Sequence, residues 1–236
     1  MRSKHFRLIL LLSLACSASV AAPASVPDTL EQRLKACTAC HAPKDHHDAY
    51  FPRIAGKPAG YLYHQLLNFR DGRRQYPLMT YMVGNLPDAY LREIATYFSE
   101  QHPTPPPAAS SDAPAAVLAR GQQLVRVGDA AKKIPACASC HDERLGGVAP
   151  AIPGLLGLPR DYINAQFGAW KNGMRRAHAP DCMAAIAQQL SDADVSAVSS
   201  WLSTQAAHAD ARPAASIAVP LPLKCGSVTA TDTVAP

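Results

Sequence analysis

The chain has 236 residues, of which 48% are hydrophobic, and it carries 23 lysines and arginines against 18 aspartates and glutamates. A chain of this length forms one or two globular domains. Three of the basic residues lie among the first seven positions, and without them the balance is 20 − 18 = +2. The net charge therefore gives no support for nucleic-acid binding.

Residues 1–21 have the pattern of a secretory signal peptide. Basic residues precede the short apolar run 8–15, and small residues at 19–21 provide a cleavage site. The apolar run is far shorter than the ~20 residues that a membrane span needs. We therefore expect export to the periplasm, with membrane association only through partners. A lipid anchor on Cys16 is the alternative, although Ser13 stands where a lipoprotein signal normally carries an aliphatic residue.

The sequence Cys-X-X-Cys-His occurs twice, at residues 37–41 and 137–141. Each copy is the attachment signature of a c-type haem, because the two cysteines can form thioethers to one porphyrin and the histidine that follows can bind its iron. The alternative is a zinc ion shared by two Cys-X-X-Cys pairs, which leaves both histidines unexplained. The motifs predict two covalent haem c groups, with attachment at Cys37, Cys40, Cys137 and Cys140 and iron ligation by His41 and His141.

The two motifs belong to an internal repeat of about 100 residues. Residues 61–66 match 162–167, and residues 69–73 match 170–174. A repeat of this length indicates duplicated domains rather than a solenoid. We predict a first domain at 26–101, a Pro-rich linker at 102–115, a second domain at 116–205 and an irregular C-terminal tail at 206–236.

Helical spacing recurs in both copies. Leucines at positions 30 and 34 share a face that leads into the first motif, and a later helix begins near Asp88, directly after Pro87. Its counterpart in the second copy begins near Ser191. Neither copy shows convincing alternation of apolar and polar residues, so the predicted fold class is all-α.

Methionine is the usual second axial ligand in high-potential cytochromes, because its soft sulfur favours ferrous iron. The first copy offers Met79 and Met82, and the second offers Met174 and Met183. Only Met79 and Met183 hold equivalent positions, since each lies seven residues before the leucine that precedes the last helix. We therefore expect Met79 and Met183 to be the axial ligands. The competing histidines, none of which has a histidine counterpart in the other copy, are His46, His47, His64 and His178.

Two further pairs of residues have expected roles near the haems. Pro52 and Pro153 occupy matching turns, where a carbonyl can accept the proton on the far nitrogen of the haem histidine. Cys182 and Cys225 remain after the haem cysteines and Cys16 are assigned, and export favours a disulfide between them. This disulfide would hold the tail against the second haem site.

Taken together, these motifs resemble the cytochrome c4 family of periplasmic di-haem class I c-type cytochromes. The resemblance rests on the two haem motifs, the Pro-X-X-X-Gly turn at 52–56, the segments 61–66 and 69–73, the late methionines, and residues 128–137. It covers about residues 28–205. The residue after each haem histidine, Ala42 or Asp142, departs from the glycine that the family often has, and the tail lies outside the family pattern.

The resemblance implies two tandem class I cytochrome c domains, each wrapped around one covalent haem, with His41/Met79 and His141/Met183 as axial pairs. It implies an electron carrier rather than an enzyme, with a quinol-oxidising complex or a dehydrogenase as donor and a terminal oxidase as acceptor. One alternative is a dedicated electron-accepting subunit of a dehydrogenase or oxidase complex. Another is a di-haem enzyme such as a peroxidase or a thiosulfate-oxidising haem protein, which needs an exchangeable iron site and acid/base groups.

Overall fold

The computed structural model describes residues 28–41, 50–207, 212–217 and 220–228. The expected signal peptide, Cys16, His46 and His47 lie outside the described residues. The chain divides into two compact units, residues 1–33 and residues 34–236, and both haem motifs lie in the second unit. Among the described residues, no helix is long and apolar enough to cross a membrane.

The described part of the chain is all-α, as the sequence predicts. Four helices fall in the first copy of the repeat and five in the second. Their bounds are α1 Leu30–Thr38, α2 Ala59–Arg70, α3 Pro77–Val83, α4 Asp88–Glu100, α5 Ala115–Arg126, α6 Ala138–His141, α7 Arg160–Lys171, α8 Cys182–Gln189 and α9 Asp192–Ser203.

Local sequence explains where several of these helices begin. Pro58, Pro87, Pro114 and Pro159 are the residues directly before α2, α4, α5 and α7, where the fixed φ of proline suits the start of a helix. Ser191 caps α9 through a capping box in which its side chain accepts from the backbone N–H of Asp194 at 3.1 Å. The helix starts predicted near Asp88 and Ser191 are thus confirmed.

The second copy also contains two short antiparallel strand pairs that the sequence did not predict. They are β1 Gly128–Asp129 with β2 Ile134–Pro135, and β3 Gly147–Val148 with β4 Ile152–Pro153. Each strand has two residues, too few for apolar alternation to be visible. Gly147 has a φ of +89°, which glycine adopts readily, and it is the first residue of β3, six residues after the second haem motif.

Each copy packs its helices around its own motif. In the first copy α2 packs against α3 and α4, and the core includes Leu34, Leu62, Phe69, Leu91 and Phe98. In the second copy α5 crosses α9 and α7 contacts both α8 and α9, around a core that includes Leu124, Val125, Leu145, Val198 and Leu202. Between the copies, residues 101–114 contain no helix or strand.

The two copies meet through short matching segments that follow α2 and α7. Arg74 and Arg175 form an antiparallel bridge. On either side of it, the N–H of Gln75 donates to the carbonyl of Met174 at 2.7 Å, and the N–H of Arg176 donates to the carbonyl of Arg73 at 2.8 Å. The equivalent segments of the repeat therefore lie face to face, with an approximate two-fold relation.

Candidate metal centres

The first haem motif lies at the end of α1, on one wall of a cavity. The backbone N–H groups of Cys40 and His41 both donate to the carbonyl of Cys37, at 3.2 and 2.9 Å. This tight turn brings the two thiols and the imidazole to one side of the chain. All three line a cavity of about 420 Å³ whose other walls include α2, α3, α4 and α7.

The second motif has the same local geometry. The N–H groups of Cys140 and His141 donate to the carbonyl of Cys137, at 3.2 and 2.9 Å. The three side chains line a second cavity, of about 180 Å³, whose walls include α7, α8 and the C-terminal residues 221–228. Both cavities are lined mainly by apolar side chains, as a porphyrin ring requires.

Each motif histidine is oriented by a backbone carbonyl. Nδ1 of His41 donates to the carbonyl of Pro52 at 2.9 Å, and Nδ1 of His141 donates to that of Pro153 at 2.7 Å. Such a bond fixes the tautomer and leaves Nε2 as the nitrogen that can bind a metal. Burial lowers the pKa of both imidazoles, which keeps them in the neutral form that acts as a ligand.

The methionines are distributed unequally between the cavities. Met183, the second residue of α8, is the one methionine among the described residues that lines the second cavity. Three methionines line the first cavity: Met79 and Met82 from α3, and Met174 from the second copy of the repeat. Cavity lining alone therefore admits Met82 and Met174 beside Met79 as candidates for the first site.

His64 and His178, two of the histidines that competed for these roles in the sequence, lie elsewhere. His64 is buried on α2, and its ring contacts that of His178 edge-on, with centroids 5.6 Å apart. Among the described residues, the walls of the two cavities contain neither His64 nor His178.

Zinc is a poor match for the motif cysteines. Burial raises the pKa of the Cys37 and Cys140 thiols, and it raises that of Cys137 to about 12. Throughout the described ranges, no group of three or more His, Cys, Asp or Glu side chains is placed to hold a metal ion. The two pairs line separate cavities, as two covalent haems require.

A polar cluster that sequence reasoning missed lies between the cavities. Nη2 of Arg74 donates to Oε1 of Gln166 at 2.7 Å and to the hydroxyl of Tyr162 at 3.1 Å. In the reverse direction, Nη2 of Arg175 donates to Oε1 of Gln65 and to the hydroxyl of Tyr61, both at 3.3 Å. Each arginine also reaches the glutamine of its own copy, at 2.9 Å for Arg74 and 2.8 Å for Arg175.

This inter-repeat cluster consists of Tyr61, Gln65, Arg74, Tyr162, Gln166 and Arg175. All of these except Arg74 line both cavities, and Arg74 lines the first. Arg175 is buried and Arg74 is half-buried, and among the described residues neither has a carboxylate at ion-pair distance. A buried charge needs a counter-charge. The cluster therefore fits the carboxylates of two haem groups, one in each cavity.

The sequence contained a sign of this cluster. The tyrosine, glutamine and arginine pairs all recur at an offset of 101 residues. The matched segments 61–66 and 162–167 contain the tyrosine and glutamine pairs, but the arginine pair lies one residue beyond the matched segments 69–73 and 170–174.

Lys57 also lies between the cavities, and the sequence did not single it out. Its ammonium group donates to the carbonyl of Gly154 at 3.0 Å, and Lys57 lines both cavities. Burial lowers its pKa to about 8. It adds a third cationic group to the region shared by the two sites.

Comparison with known proteins agrees with this geometry. Residues 119–202 match the family model described as cytochrome c oxidase, cbb3-type, subunit III. The chain is 39% identical to the thiosulfate dehydrogenase electron acceptor of Thiomonas intermedia, over 72% of this chain and 78% of that protein. It is 34% identical to cytochrome c4 of Pseudomonas aeruginosa, over 70% of this chain and 82% of that protein.

The chain belongs to the cytochrome c4 family.

Solved structures of cytochrome c4 and of a thiosulfate dehydrogenase also match this chain. Reduced cytochrome c4 from Pseudomonas stutzeri matches with a TM-score of 0.63 and 29% identity, over 73% of this chain and 94% of that one. Thiosulfate dehydrogenase (TsdBA) from Marichromatium purpuratum also matches with a TM-score of 0.63, at 28% identity. The match covers 72% of this chain but spans only 36% of that longer chain.

Membership of the cytochrome c4 family establishes the class of cofactor and of function. This cytochrome has two tandem class I cytochrome c domains and two haem c groups, and it transfers electrons rather than catalysing a reaction on a substrate. Two of its relatives are named as electron acceptors of a thiosulfate dehydrogenase.

Proposed function

We propose that this cytochrome accepts electrons from a thiosulfate dehydrogenase in the periplasm and delivers them to a terminal acceptor. Two relatives, from Thiomonas intermedia and Stutzerimonas stutzeri, are named as thiosulfate dehydrogenase electron acceptors, and the chain covers 78% and 95% of them. The proposal that electrons pass between the two haems rests on one observation: five residues of the inter-repeat cluster line both cavities. A pair of sites with a common wall is suited to electron exchange within the chain.

The proposed domains are residues 26–101 and 116–205, with one iron site in each. The thioether attachments are Cys37 and Cys40 in the first domain, and Cys137 and Cys140 in the second. Haem supplies reversible one-electron chemistry between ferric and ferrous iron. The chain's own residues hold it in place, orient its histidine ligand and exclude water.

We propose His41 with Met79, and His141 with Met183, as the axial pairs. The carbonyls of Pro52 and Pro153 support the two histidines in equivalent ways. Repeat symmetry selects Met79 over Met82 and Met174, which line the same cavity. A sulfur ligand on each iron would close the site to substrates and would keep the same coordination in the ferric and ferrous states.

Substitution of each methionine tests the axial pairs. Met183→Ala is expected to open the second iron to carbon monoxide and to remove one of two methionine-sulfur bands from the ferric spectrum. Met79→Ala is expected to do the same at the first iron. Met82→Ala and Met174→Ala are the matched controls, because both side chains line the first cavity. If either control opens the first iron and Met79→Ala does not, the assignment of Met79 is wrong.

Electron uptake tests the proposed partner. The oxidised cytochrome is mixed with a purified thiosulfate dehydrogenase and thiosulfate, and haem reduction is followed by absorbance. Reduction of both haems, dependent on thiosulfate, is expected. If a quinol-oxidising complex reduces the cytochrome and the dehydrogenase does not, the proposed donor is wrong while the carrier function stands.

A dedicated subunit is the second candidate function. The solved thiosulfate dehydrogenase that matches this chain has a longer chain, of which this cytochrome spans 36%. Co-purification of a dehydrogenase at high salt would indicate a permanent complex, because exposed electrostatic contacts weaken as salt rises. Release at high salt would indicate a diffusing carrier.

A further inference from the structure

The C-terminal residues contact the second domain along two stretches. In the first, Ala214 pairs with the backbone beside β3: its N–H donates to the carbonyl of Gly147 at 2.9 Å, and its carbonyl accepts from the N–H of Ala149 at 2.8 Å. This pairing fixes part of the tail next to the strand that follows the second haem motif.

The second stretch, residues 220–228, lies at the second cavity and is called the C-terminal clamp below. Its residues Leu221, Leu223, Cys225, Ser227 and Val228 all line that cavity. Cys225 forms a disulfide with Cys182, the first residue of α8 and the neighbour of Met183. The clamp is thus tied covalently to the residue next to the proposed axial ligand.

The clamp also touches the loop before α8 through its backbone. The N–H of Gly226 donates to the carbonyl of Pro180 at 2.9 Å. A Cβ at Gly226 would meet the carbonyl of Ala179 and would lie 2.7 Å from that of His178. Both obstacles are backbone atoms, which cannot rotate away. The close approach therefore requires glycine at this position.

Asp181 stabilises the same loop through hydrogen bonds to its backbone. Its carboxylate accepts from the N–H of Ala177 at 2.7 Å and from that of Ala184 at 3.0 Å, which caps α8. Met183 thus lies in the first turn of a helix whose start is fixed by a side-chain cap, a disulfide and a backbone contact.

We propose that the C-terminal clamp positions Met183 on the second iron and closes the second cavity to reagents from solution. Gly226, Cys182 and Cys225 act as positioning residues, through Met183. The inference rests on the proposed assignment of Met183 as an axial ligand. Among the described residues the first cavity has no counterpart of the clamp, and its lining includes Leu78 and Met174, which are 46% and 45% exposed. The clamp therefore distinguishes the second site from the first within the described residues.

Loosening the clamp should alter the second site in a defined direction. A haem that is shielded from water favours the less charged ferrous state, so admission of water lowers the potential. Mobility of Cys182 also weakens the bond between Met183 and iron. The first site, in the other domain, keeps its ligands and potential.

Gly226→Ala is the main test, with Gly168→Ala as its control. Gly168 lies in α7 and has no atom within 4 Å of an added Cβ, so the same chemical change there is free of strain. In Gly226→Ala we expect carbon monoxide binding at one haem of two and loss of one sulfur band. We also expect a fall in one midpoint potential of about 60 mV, equivalent to a tenfold change in the ferric/ferrous equilibrium. Gly168→Ala should match the wild type in all three.

A second variant provides the test if Gly226→Ala does not fold. Cys182→Ser/Cys225→Ser removes the covalent tie without adding bulk, and the spectrum and potential of the first haem report whether the protein is folded. If a folded variant keeps both sulfur bands and both potentials, the clamp has no positioning role and the inference is wrong. If the wild type itself lacks a sulfur band for the second haem, it is the proposed Met183 ligation that fails.

Discussion

Gly121→Ala probes the helix crossing that supports the second haem site. Gly121 lies in α5, where that helix crosses α9. A Cβ at this position would meet the carbonyl oxygen of Ala197, and would lie 2.7 Å from both the carbonyl carbon of Ala197 and Cβ of Trp201. The neighbouring core residues Leu124 and Leu202 line the second cavity, so the crossing is mechanically connected to the haem site.

The expected loss of stability follows from two opposing effects. Alanine is about 1 kcal/mol more favourable than glycine inside a helix. Overpacking a core normally costs about 1–3 kcal/mol. Here the obstacle at Ala197 is backbone, so the helices must separate along the whole contact, and the cost lies at or above the upper end of that range. The net result is a destabilisation of about 2 kcal/mol or more.

Gly168→Ala is again the control, because the added methyl group meets no atom within 4 Å. It should stabilise the protein by up to about 1 kcal/mol, so the two variants should differ by about 3 kcal/mol. Guanidinium unfolding of the holoprotein, followed by far-ultraviolet circular dichroism and by haem absorbance, measures the difference. If Gly121→Ala proves as stable as Gly168→Ala, the close α5–α9 contact is absent in solution.

Two further predictions concern charged groups. Burial raises the pKa of the Asp194 carboxyl, but hydrogen bonds from Lys132, Ser191 and Arg120 lower it by more, so the net shift is downward. The contribution of Asp194 to stability is therefore present above the unfolded-state pKa of ~3.9, and it is lost as the pH falls through the folded-state pKa. Asp194→Asn should therefore lower stability at pH 7 by about 2 kcal/mol and flatten the loss of stability below pH 4, measured by thermal unfolding between pH 2 and pH 7; an unchanged acid profile would contradict this. In the inter-repeat cluster, the double variant Arg74→Met/Arg175→Met should lose about 1 kcal/mol more stability than the sum of the two single variants. The reason is that the side-chain oxygen of each glutamine accepts from both arginines, so it keeps one donor until both arginines are lost. Simple additivity in guanidinium unfolding would show that the two arginines act independently.

The chemistry of the haem sites could be predicted from sequence because it is local. Five consecutive residues contain both thioether positions and the first iron ligand, so the motif carries its meaning without knowledge of the fold. Helix starts at Pro87 and Ser191 were equally visible, since a cap acts on the residues directly after it. The repeat indicated that the same local features occur in two domains, and the helical spacing in both copies predicted the all-α class.

The choice among methionines shows where sequence reasoning reached its limit. Repeat symmetry selects Met79, but the structure brings Met82 and Met174 to the same cavity. Met174 arrives from the other copy because the bridge between Arg74 and Arg175 places the two copies side by side. No spacing within one copy reveals a neighbour that comes from the other.

The sequence by itself predicted the covalent attachment and the histidine ligands, and it determined the duplication and the all-α class, since each depends on residues close in the chain or on a repeated pattern. Only the tertiary structure decided that Arg74 and Arg175 share their partners between the two cavities, and that Gly226 fits against the backbone of residues 178–179. Such contacts join residues tens of positions apart. They depend on how closely two backbones pack, a property of the assembled fold and not of any one segment.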